Sequence, residues 1–412
     1  MTVTLADIEA ARERLKGIIL STPMIADDRL SREIGAKASL KAESLQKAGS
    51  FKIRGAYNKI SQLSEDERAR GVIAASAGNH AQGVALAAQI LGVKATIICP
   101  EFAPLTKINA TKGYGADVIL KGSILDESIA YSQELAAEHG YTMVHAFDDE
   151  KIIAGQGTIG LEILEALPGV TTIVVPIGGG GLMSGIATAV KTLKPGIRMI
   201  GVQAENSSWV KPSFEAGHAV SAQMAPTIAD GIAVKKPGAV TLPILKEFVD
   251  EIVEVSDDEI AKGIFFASQN NRLVVEGGGA ASLGALLARK ATISPDENVC
   301  VVVSGGNIDA NLLARVLEQV LVRQGRYIML KMLVMDRPGM LAGALDAVAE
   351  ARANVIEVFH RRSMWLAPLG RVGIELLLEV RDEDHAQEVI VHMREKGFPV
   401  EREGQVDWHD AL

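Results

Sequence analysis

The sequence is poor in cysteine. Only two cysteines occur in 412 residues, Cys99 and Cys300, and each lies in a β-branched run, ATIICP or NVCVVVSGG. Such runs are typical of buried strands, so both thiols are expected to be reduced core residues. Neither a disulfide framework nor a cysteine-based metal site is therefore expected.

Long apolar runs and basic blocks are also missing. No run approaches the ~20 apolar residues that span a bilayer, and the segment MTVTLADIEAARERLKG is typical of a polar amphipathic helix rather than a signal peptide. The formal net charge is -9 and no Lys/Arg-rich block stands out, so neither nucleic acid nor an anionic membrane is expected as a partner. We expect a cytoplasmic protein that binds a small molecule.

The length and the apolar pattern indicate an α/β protein. A chain of 412 residues is expected to form two or three domains of roughly 100 to 200 residues. Strand-like runs alternate with helical patterns over roughly the first 320 residues, and these runs are VIAAS, ATIICP, DVIL, YTMVHAF, TIVVPIG, RMIGVQAE and VCVVVSGG. The alternation predicts doubly wound parallel sheets, in which ligands bind beyond the carboxyl ends of the strands.

The pattern changes near Arg326. The segments that follow are a strand RYIMLKMLVMD, a helix MLAGALDAVAEARA, strands NVIEVFHRRS and VGIELLLEV, a helix DEDHAQEVIVHMREKG and a strand FPVEREG. The order βαββαβ predicts a separate ferredoxin-like domain. The segment LARVLEQVLVRQG between the two parts is predicted to be a helical connection.

A run of four glycines, Gly178–Gly181, follows an apolar run and precedes a helical segment that begins at Leu182. Without Cβ atoms, backbone N–H groups can converge on a phosphate at the start of a helix. A dinucleotide fingerprint fits poorly because its third glycine falls on Met183 or Ser184, and a P-loop fails because no Gly-Lys-Ser/Thr follows. For this segment alone, a turn that serves packing remains the alternative.

Lys52 lies between Phe51 and Ile53 and two residues from Arg54. A lysine in an apolar setting near another cation has a lowered pKa, which suits it to form an imine with a carbonyl cofactor. Taken alone, the segment is more typical of an amphipathic lysine at the surface.

Two strand ends carry further polar residues. The segment SAGNHAQG follows the run VIAA and opens a helix, where N–H groups can bind a carboxylate and the amide of Asn79 can contact a ring hydroxyl. An ordinary helix N-cap is the alternative. Ser304, in VVVSGGNID, follows another buried strand, and a simple turn residue is its alternative.

Together, SLQKAGSFKIRGA, SAGNHAQG, GGGGL and SGGN resemble the threonine and serine dehydratase group of pyridoxal-phosphate enzymes, in this order and over about residues 5–320. The resemblance implies the fold of the tryptophan synthase β-subunit and pyridoxal 5'-phosphate as cofactor. The implied cofactor contacts are Lys52 as the Schiff-base lysine, Phe51 against the ring, Asn79 on the ring hydroxyl, Gly178, Gly179, Gly180, Gly181 and Leu182 around the phosphate, and Ser304 at the pyridine nitrogen. The implied loop for the substrate carboxylate consists of Ser76, Ala77, Gly78, Asn79 and His80.

The implied catalytic part spans residues 1–325, with a smaller subdomain at about 46–152 inserted in the larger one. Residues 326–412 resemble an ACT domain, an amino-acid-sensing module, with DRPGML as its turn. The stretch SMWLAPLGR departs from the plain form of that domain, so the effector, an amino acid or a nucleotide, is not identified. Pairing of such domains leads us to expect a homo-oligomer, a dimer or a tetramer.

The resemblance implies deamination of L-threonine to 2-oxobutanoate and ammonia, with L-serine, which gives pyruvate, as a second substrate. Lys52 is then the general base at the substrate Cα. A neutral Ser304 hydroxyl leaves the pyridine nitrogen largely unprotonated, which favours prompt elimination.

Alternatives of the same fold differ at specific positions. Serine racemases carry a second serine where Ala77 stands, so racemisation is expected to be a side reaction at most, and β-replacement synthases typically have Thr where His80 stands. Relatives with a divalent metal have acidic ligands near Glu205, but Trp209 and Lys211 occupy the other ligand positions. No metal is expected. A non-catalytic amino-acid-binding regulator is disfavoured because the cofactor residues are all retained.

Overall fold

A computed structural model describes residues 3–221, 224–361 and 368–403. The chain divides into two compact units, Met1–Ala310 and Asn311–Leu412, and each has its own hydrophobic core. Within the described residues, no helix is both long enough and apolar enough to cross a membrane.

Two largely parallel sheets form the centre of the first unit. Their strands are β1 Met24–Ala26, β2 Lys37–Ala42, β3 Val72–Ala75, β4 Ala95–Cys99, β5 Asp117–Leu120, β6 Thr142–Met143, β7 Thr172–Pro176, β8 Arg198–Ala204, β9 Glu251–Val255 and β10 Asn298–Val303. The larger sheet has the order β1-β2-β10-β7-β8-β9 and the smaller sheet has the order β5-β4-β3-β6. Only β1 pairs antiparallel, with β2, among these described strands. The doubly wound fold predicted from the sequence is thus confirmed.

Helices cover both sheets. They are α1 Leu5–Leu15, α2 Asp28–Ile34, α3 Lys52–Ile60, α4 Glu65–Arg70, α5 Asn79–Leu91, α6 Leu105–Gly113, α7 Leu125–His139, α8 Glu150–Ala166, α9 Gly181–Leu193, α10 Val210–Ala216, α11 Thr241–Phe248, α12 Asp257–Phe266 and α13 Gly277–Leu287. Local signals set their ends. Ser256 and Glu259 form a capping box at the start of α12, and Gly92, with φ +65°, ends α5 in the left-handed conformation.

The continuous apolar runs become the central strands. Every residue of β7 is buried, and so is β10 after its first residue. Ile173 and Val175 of β7 pack with Val302 of β10 and Met183 of α9 in one core. Burial on both faces explains why these runs are continuous rather than alternating.

The second unit is a four-stranded antiparallel sheet with two helices. Its elements are α14 Ala310–Arg323, which begins at the last residue of the first unit, β11 Tyr327–Met335, α15 Met340–Glu350, β12 Asn354–Arg361, β13 Arg371–Glu379, α16 Glu383–Glu395 and β14 Val400–Arg402. The strand order is β12-β13-β11-β14, and buried residues alternate along β11 because one face of the sheet covers the core. The ferredoxin-like order is confirmed. Within SMWLAPLGR, residues 363–367 lie outside the described residues.

The strands differ from the sequence pattern in four places. The run YTMVHAF gives only β6. Beyond Met143, the carbonyl groups of Val144 and Ala146 accept hydrogen bonds from the side chains of His80 and Lys52. The pattern also missed β1, β9 and β2, of which β2 lies between β1 and β10 in the larger sheet. Its sequence KASLKA contains Lys41, which is buried there because it is ion-paired with Glu162.

Candidate active site

Lys52 is the first residue of α3 and is partly buried. Its Nζ donates a hydrogen bond to the carbonyl oxygen of Ala146 at 2.9 Å and lies 5.2 Å from the centre of the Phe51 ring. Burial lowers the pKa of Lys52 to about 8, although the negative charge of Glu276 acts in the opposite direction. A larger fraction of this amine is therefore neutral near pH 7 than of an ordinary lysine.

Four charged side chains lie next to the start of α3. They form the paired cluster Lys41, Glu43, Arg54 and Glu162, in which the first three are buried and Glu162 is partly exposed. Arg54 binds Glu43 through Nε and Nη2 at 2.8 and 2.7 Å, and it binds Glu162 through Nη1 at 2.6 Å. Lys41 completes the cluster with an ion pair to Glu162 at 2.6 Å. Burial lowers the pKa of Arg54, but the two carboxylates outweigh burial and raise it overall. The two positive charges of this cluster are thus balanced by its two negative charges.

Glycines let neighbouring helices approach α3 closely. A Cβ atom on Gly155 of α8 would lie 2.6 Å from the Cα of Gly55. A Cβ atom on Gly83 of α5 would lie 3.0 Å from the backbone carbonyl carbon of Lys52. These close approaches leave α3 little room to shift, so the backbone of Lys52 is held between α5 and α8.

The segment Ser76–His80 connects β3 to α5, as predicted. The N–H of Gly78 donates to the Oγ of Ser76 at 3.1 Å, which closes the turn. His80 is buried, and its Nε2 lies 2.8 Å from the carbonyl oxygen of Val144, to which it donates. Burial and the nearby Lys52 lower the pKa of His80 to about 3, so the imidazole is neutral. The side chain of His80 is thus engaged within the protein, at the carbonyl of Val144.

Asn79 contacts two side chains that the sequence did not identify. Its Nδ2 donates to Oε1 of Glu276 at 2.5 Å, and its Oδ1 accepts from Nδ2 of Asn307 at 2.5 Å. Glu276 is 4% exposed and precedes α13. Burial and Asp230 raise the pKa of Glu276 to about 7, against the effect of its hydrogen bond from Asn79.

The glycine loop has the form of an anion site. Gly180 has φ +94°, and α9 begins at Gly181, one residue before the predicted start, so Leu182 is buried in its first turn. The carbonyl of Gly178 accepts from Nε1 of the buried Trp209 at 3.0 Å, and that of Gly179 accepts from Oγ1 of Thr241 at 2.8 Å. The first N–H groups of an α-helix have no helical partner. They are available to a phosphate at the start of α9.

Side chains would not fit in this loop. A Cβ atom on Gly179 would lie 2.3 Å from the ring of Phe147, and one on Gly181 would lie 2.9 Å from the carbonyl oxygen of Phe147. The loop therefore packs directly on the segment that also binds Lys52. In the described part of the chain, no three His, Cys, Asp or Glu side chains form a group that could hold a metal ion.

Ser304 joins the remaining motifs. It follows β10 and is 3% exposed, its carbonyl accepts from the N–H of Phe51 at 3.2 Å, and its hydroxyl lies 3.4 Å from the carbonyl oxygen of Gly278. The next residue, Gly305, leaves space for the side chain of Glu276, because a Cβ atom on Gly305 would lie 2.2 Å from Oε1 of Glu276. All four predicted motifs are thus linked by contacts.

The residues missed by sequence reasoning are Glu276, Asn307 and the segment 144–147. This segment supplies the carbonyl groups for His80 and Lys52 and the ring that packs on the glycine loop. Asn307 lies inside the SGGN motif, so it was within reach. The signal for Glu276 was its place before GGG at the start of a helix, where a carboxylate is favoured.

These side chains fit pyridoxal phosphate. The glycine cradle and the free N–H groups of α9 suit the phosphate. Lys52 is a desolvated primary amine, which suits an aldehyde. A neutral hydroxyl at Ser304 and an amide at Asn79 suit the ring nitrogen and the ring oxygen.

A family model described as pyridoxal-phosphate dependent enzyme matches residues 15–305. The chain belongs to this family. Pyridoxal phosphate is accordingly its cofactor. The match covers the four motifs of the site and ends before the ferredoxin-like sheet, as the resemblance in the sequence had indicated.

Several named enzymes are similar to this chain. It is 49% identical to the L-threonine ammonia-lyase of Thermotoga maritima over 398 residues, which are 97% of this chain and 99% of the relative. Threonine deaminase isoform 2 of Solanum lycopersicum has a TM-score of 0.74 at 37% identity, covering 77% of this chain and 87% of the other. A maize serine racemase has a TM-score of 0.74 at 33% identity, covering 79% of this chain and 100% of the other. The resemblance to the threonine and serine dehydratase group is confirmed.

Proposed function

We propose that the protein converts L-threonine to 2-oxobutanoate and ammonia, and L-serine to pyruvate and ammonia. The observation that carries this proposal is the desolvated amine of Lys52. This amine donates to the carbonyl of Ala146 in the segment 144–147, and Phe147 of the same segment packs on the glycine loop. The 49% identity with an L-threonine ammonia-lyase over nearly the full chain supports the choice of substrate.

When bound, pyridoxal phosphate supplies an electron sink for the electron pair that remains at Cα after its proton is removed. We assign the removal of that proton to Lys52. Its lowered pKa provides a neutral amine, and its hydrogen bond to Ala146 restricts the direction in which Nζ points. The same lysine anchors the cofactor through its amine when no substrate is present.

The cofactor contacts follow the resemblance and agree in character with the surroundings of each residue. Gly178, Gly179, Gly180, Gly181 and Leu182 hold the phosphate, Asn79 the ring oxygen, Ser304 the ring nitrogen, and Phe51 lies against the ring. Because Ser304 is neutral, it does not hold a proton on the ring nitrogen as a carboxylate would. Elimination is therefore favoured over reactions that need a long-lived carbanion.

The segment Ser76–His80 binds the substrate carboxylate in this proposal. It leads into α5, a helix of 13 residues whose first N–H groups and dipole favour an anion. Ala77 within this segment has no acidic proton. Racemisation requires a proton donor on the second face of Cα, so elimination should dominate over racemisation.

A two-substrate assay tests this function. The cofactor-loaded protein is given L-threonine or L-serine, and both the 2-oxo acid and the D-amino acid are quantified. We expect 2-oxobutanoate and pyruvate with little D-amino acid, and we expect Ala77→Ser to raise D-serine formation relative to pyruvate. D-serine formed faster than pyruvate by the unchanged protein would assign it as a racemase. With a thiol added to the assay, a thiol adduct formed faster than the oxo acid would assign it as a synthase.

We propose further that residues 326–412 form an ACT-like regulatory domain of a homo-oligomer, with catalysis confined to residues 1–325. The family model ends at residue 305, and no proposed catalytic residue lies beyond Ser304. A chain of residues 1–325 should still deaminate L-threonine. The full chain, but not the truncated chain, should respond to a branched-chain amino acid or a nucleotide by a change in apparent substrate affinity of about five- to 150-fold. A truncated chain that binds cofactor but is inactive would contradict the proposal.

A further inference from the structure

The amide of Asn79 is held at both of its ends. Glu276 accepts from its Nδ2 and Asn307 donates to its Oδ1, both at 2.5 Å. Asn307 is itself fixed, because its Nδ2 also donates to the carbonyl oxygen of Ala48 at 3.0 Å. Ala48 adopts φ +59°, a left-handed conformation that alanine rarely takes. The backbone that receives Asn307 is therefore held in an uncommon geometry.

These contacts permit one orientation of the Asn79 amide. If the amide were rotated by half a turn, its oxygen would face the carboxylate of Glu276 and its nitrogen would face the nitrogen of Asn307. Both contacts would then be repulsive, because a carboxylate only accepts and an amide nitrogen only donates. In the observed orientation, Nδ2 uses one hydrogen for Glu276, and its second hydrogen remains for another acceptor.

We propose that Glu276 and Asn307 are positioning residues that orient the Asn79 amide so that it presents an N–H group to the ring oxygen of pyridoxal phosphate. This inference rests on the proposed contact of Asn79 with the cofactor. A donor at this position stabilises an ionised ring oxygen, whereas a carbonyl oxygen there would repel it. Gly305 contributes to the same arrangement, since any side chain at this position would collide with Glu276.

Charged groups from several elements face Glu276. Lys52 of α3 and Lys107 of α6 favour its ionised form, and Asp230 opposes it. Lys107 and Asp230 are themselves ion-paired at 2.5 Å. With burial included, the pKa of Glu276 lies at about 7. As the pH falls through this value, the carboxylate gains a proton and becomes a weaker acceptor for Asn79, so the orientation is less strongly fixed.

The test compares Asn79→Ala, Glu276→Gln and Asn307→Asp with Ser282→Ala as a control. Asn307→Asp preserves size but places an acceptor opposite the oxygen of Asn79. Ser282 is buried in α13, and its hydroxyl has no hydrogen-bond partner within the described residues. Each variant is titrated with pyridoxal phosphate. The visible absorption of the bound cofactor is recorded from about pH 6 to about pH 8, on both sides of the pKa of Glu276.

We expect Glu276→Gln and Asn307→Asp to weaken cofactor binding roughly tenfold, the value for one hydrogen bond of about 1.4 kcal/mol. Both should also change the visible band as Asn79→Ala does, and Glu276→Gln should remove the change of that band near pH 7. Ser282→Ala should match the unchanged protein. If Asn79→Ala alters the spectrum but the other two variants behave like Ser282→Ala, the positioning role is wrong while the proposed function stands. If Asn79→Ala has no effect, the proposed cofactor contact itself is wrong.

Discussion

The two sides of the start of α3 each contain a cation, Arg54 on one side and Lys52 on the other, and the two cations have different surroundings. Behind the helix, Arg54 lies within 3 Å of both Glu43 and Glu162, so each buried charge has a counter-ion. In front of it, Lys52 hydrogen-bonds a neutral carbonyl, and among the described residues it forms no ion pair. The pKa of Lys52 is lowered, whereas that of Arg54 is raised. A buried cation is therefore structural or reactive according to whether a carboxylate touches it.

The largest effect is expected for Lys52→Ala, which removes the amine from the unpaired side. Turnover of L-threonine should fall by at least about 10²- to 10⁴-fold, because a general base is lost together with the cofactor anchor. Lys59→Ala is the matched control. Lys59 lies in the same helix but pairs with Asp149 at 2.7 Å. Equal losses in the two variants, measured as 2-oxo acid formation, would break the distinction between paired and unpaired lysines.

Substitutions in the ion-paired cluster around Arg54 should lower the stability of the fold. Arg54→Met leaves the buried Glu43 without its main counter-ion, so the free energy of unfolding should fall by about 3–5 kcal/mol. Arg12→Met is the control, since Arg12 and Glu165 form a pair of similar length, 2.6 Å, with side chains that are 42% and 66% exposed. Its loss should be below about 1 kcal/mol. Urea unfolding of the cofactor-free proteins measures both. Similar losses would show that burial does not separate the two pairs.

A smaller effect concerns pH. A neutral amine is needed to react with an aldehyde, and the pKa of Lys52 lies at about 8. The rate at which cofactor-free protein takes up pyridoxal phosphate should therefore rise about tenfold per pH unit below that value and then level off, whereas the rate of a free alkyl amine, measured alongside, should continue to rise. Glu276→Gln should move the midpoint to lower pH, because the charge of Glu276 raises the pKa of Lys52. A midpoint near that of ordinary lysine would contradict the desolvation of Lys52.

The motifs allowed much of the site to be predicted from sequence. Lys52, Asn79, the glycines and Ser304 each stand at a strand end or helix start, where local chemistry limits what they can bind. Strands such as β7 and β10 were equally predictable, since continuous apolar runs indicate parallel sheets.

Other parts of the site depend on contacts that no local pattern records. Glu276 is 197 residues from Asn79 in the chain, and only the fold brings them together. Val144 and Ala146 act through backbone carbonyls, which every residue possesses. The strand β2 was missed because its Lys41 looks exposed until Glu162, 121 residues away, neutralises it. Sequence patterns thus predicted reactive groups better than the partners that tune them.

The most direct test of the central claim is to find the amine that carries the cofactor. The cofactor-loaded protein is reduced with borohydride, which converts a lysine–cofactor imine into a stable amine, and is then digested and analysed by mass spectrometry. We predict that the added mass lies on Lys52, and that neither Lys41 nor Lys59 is modified, because each is ion-paired. A cofactor bound to any other lysine, or no adduct on a protein that deaminates L-threonine, would contradict the account.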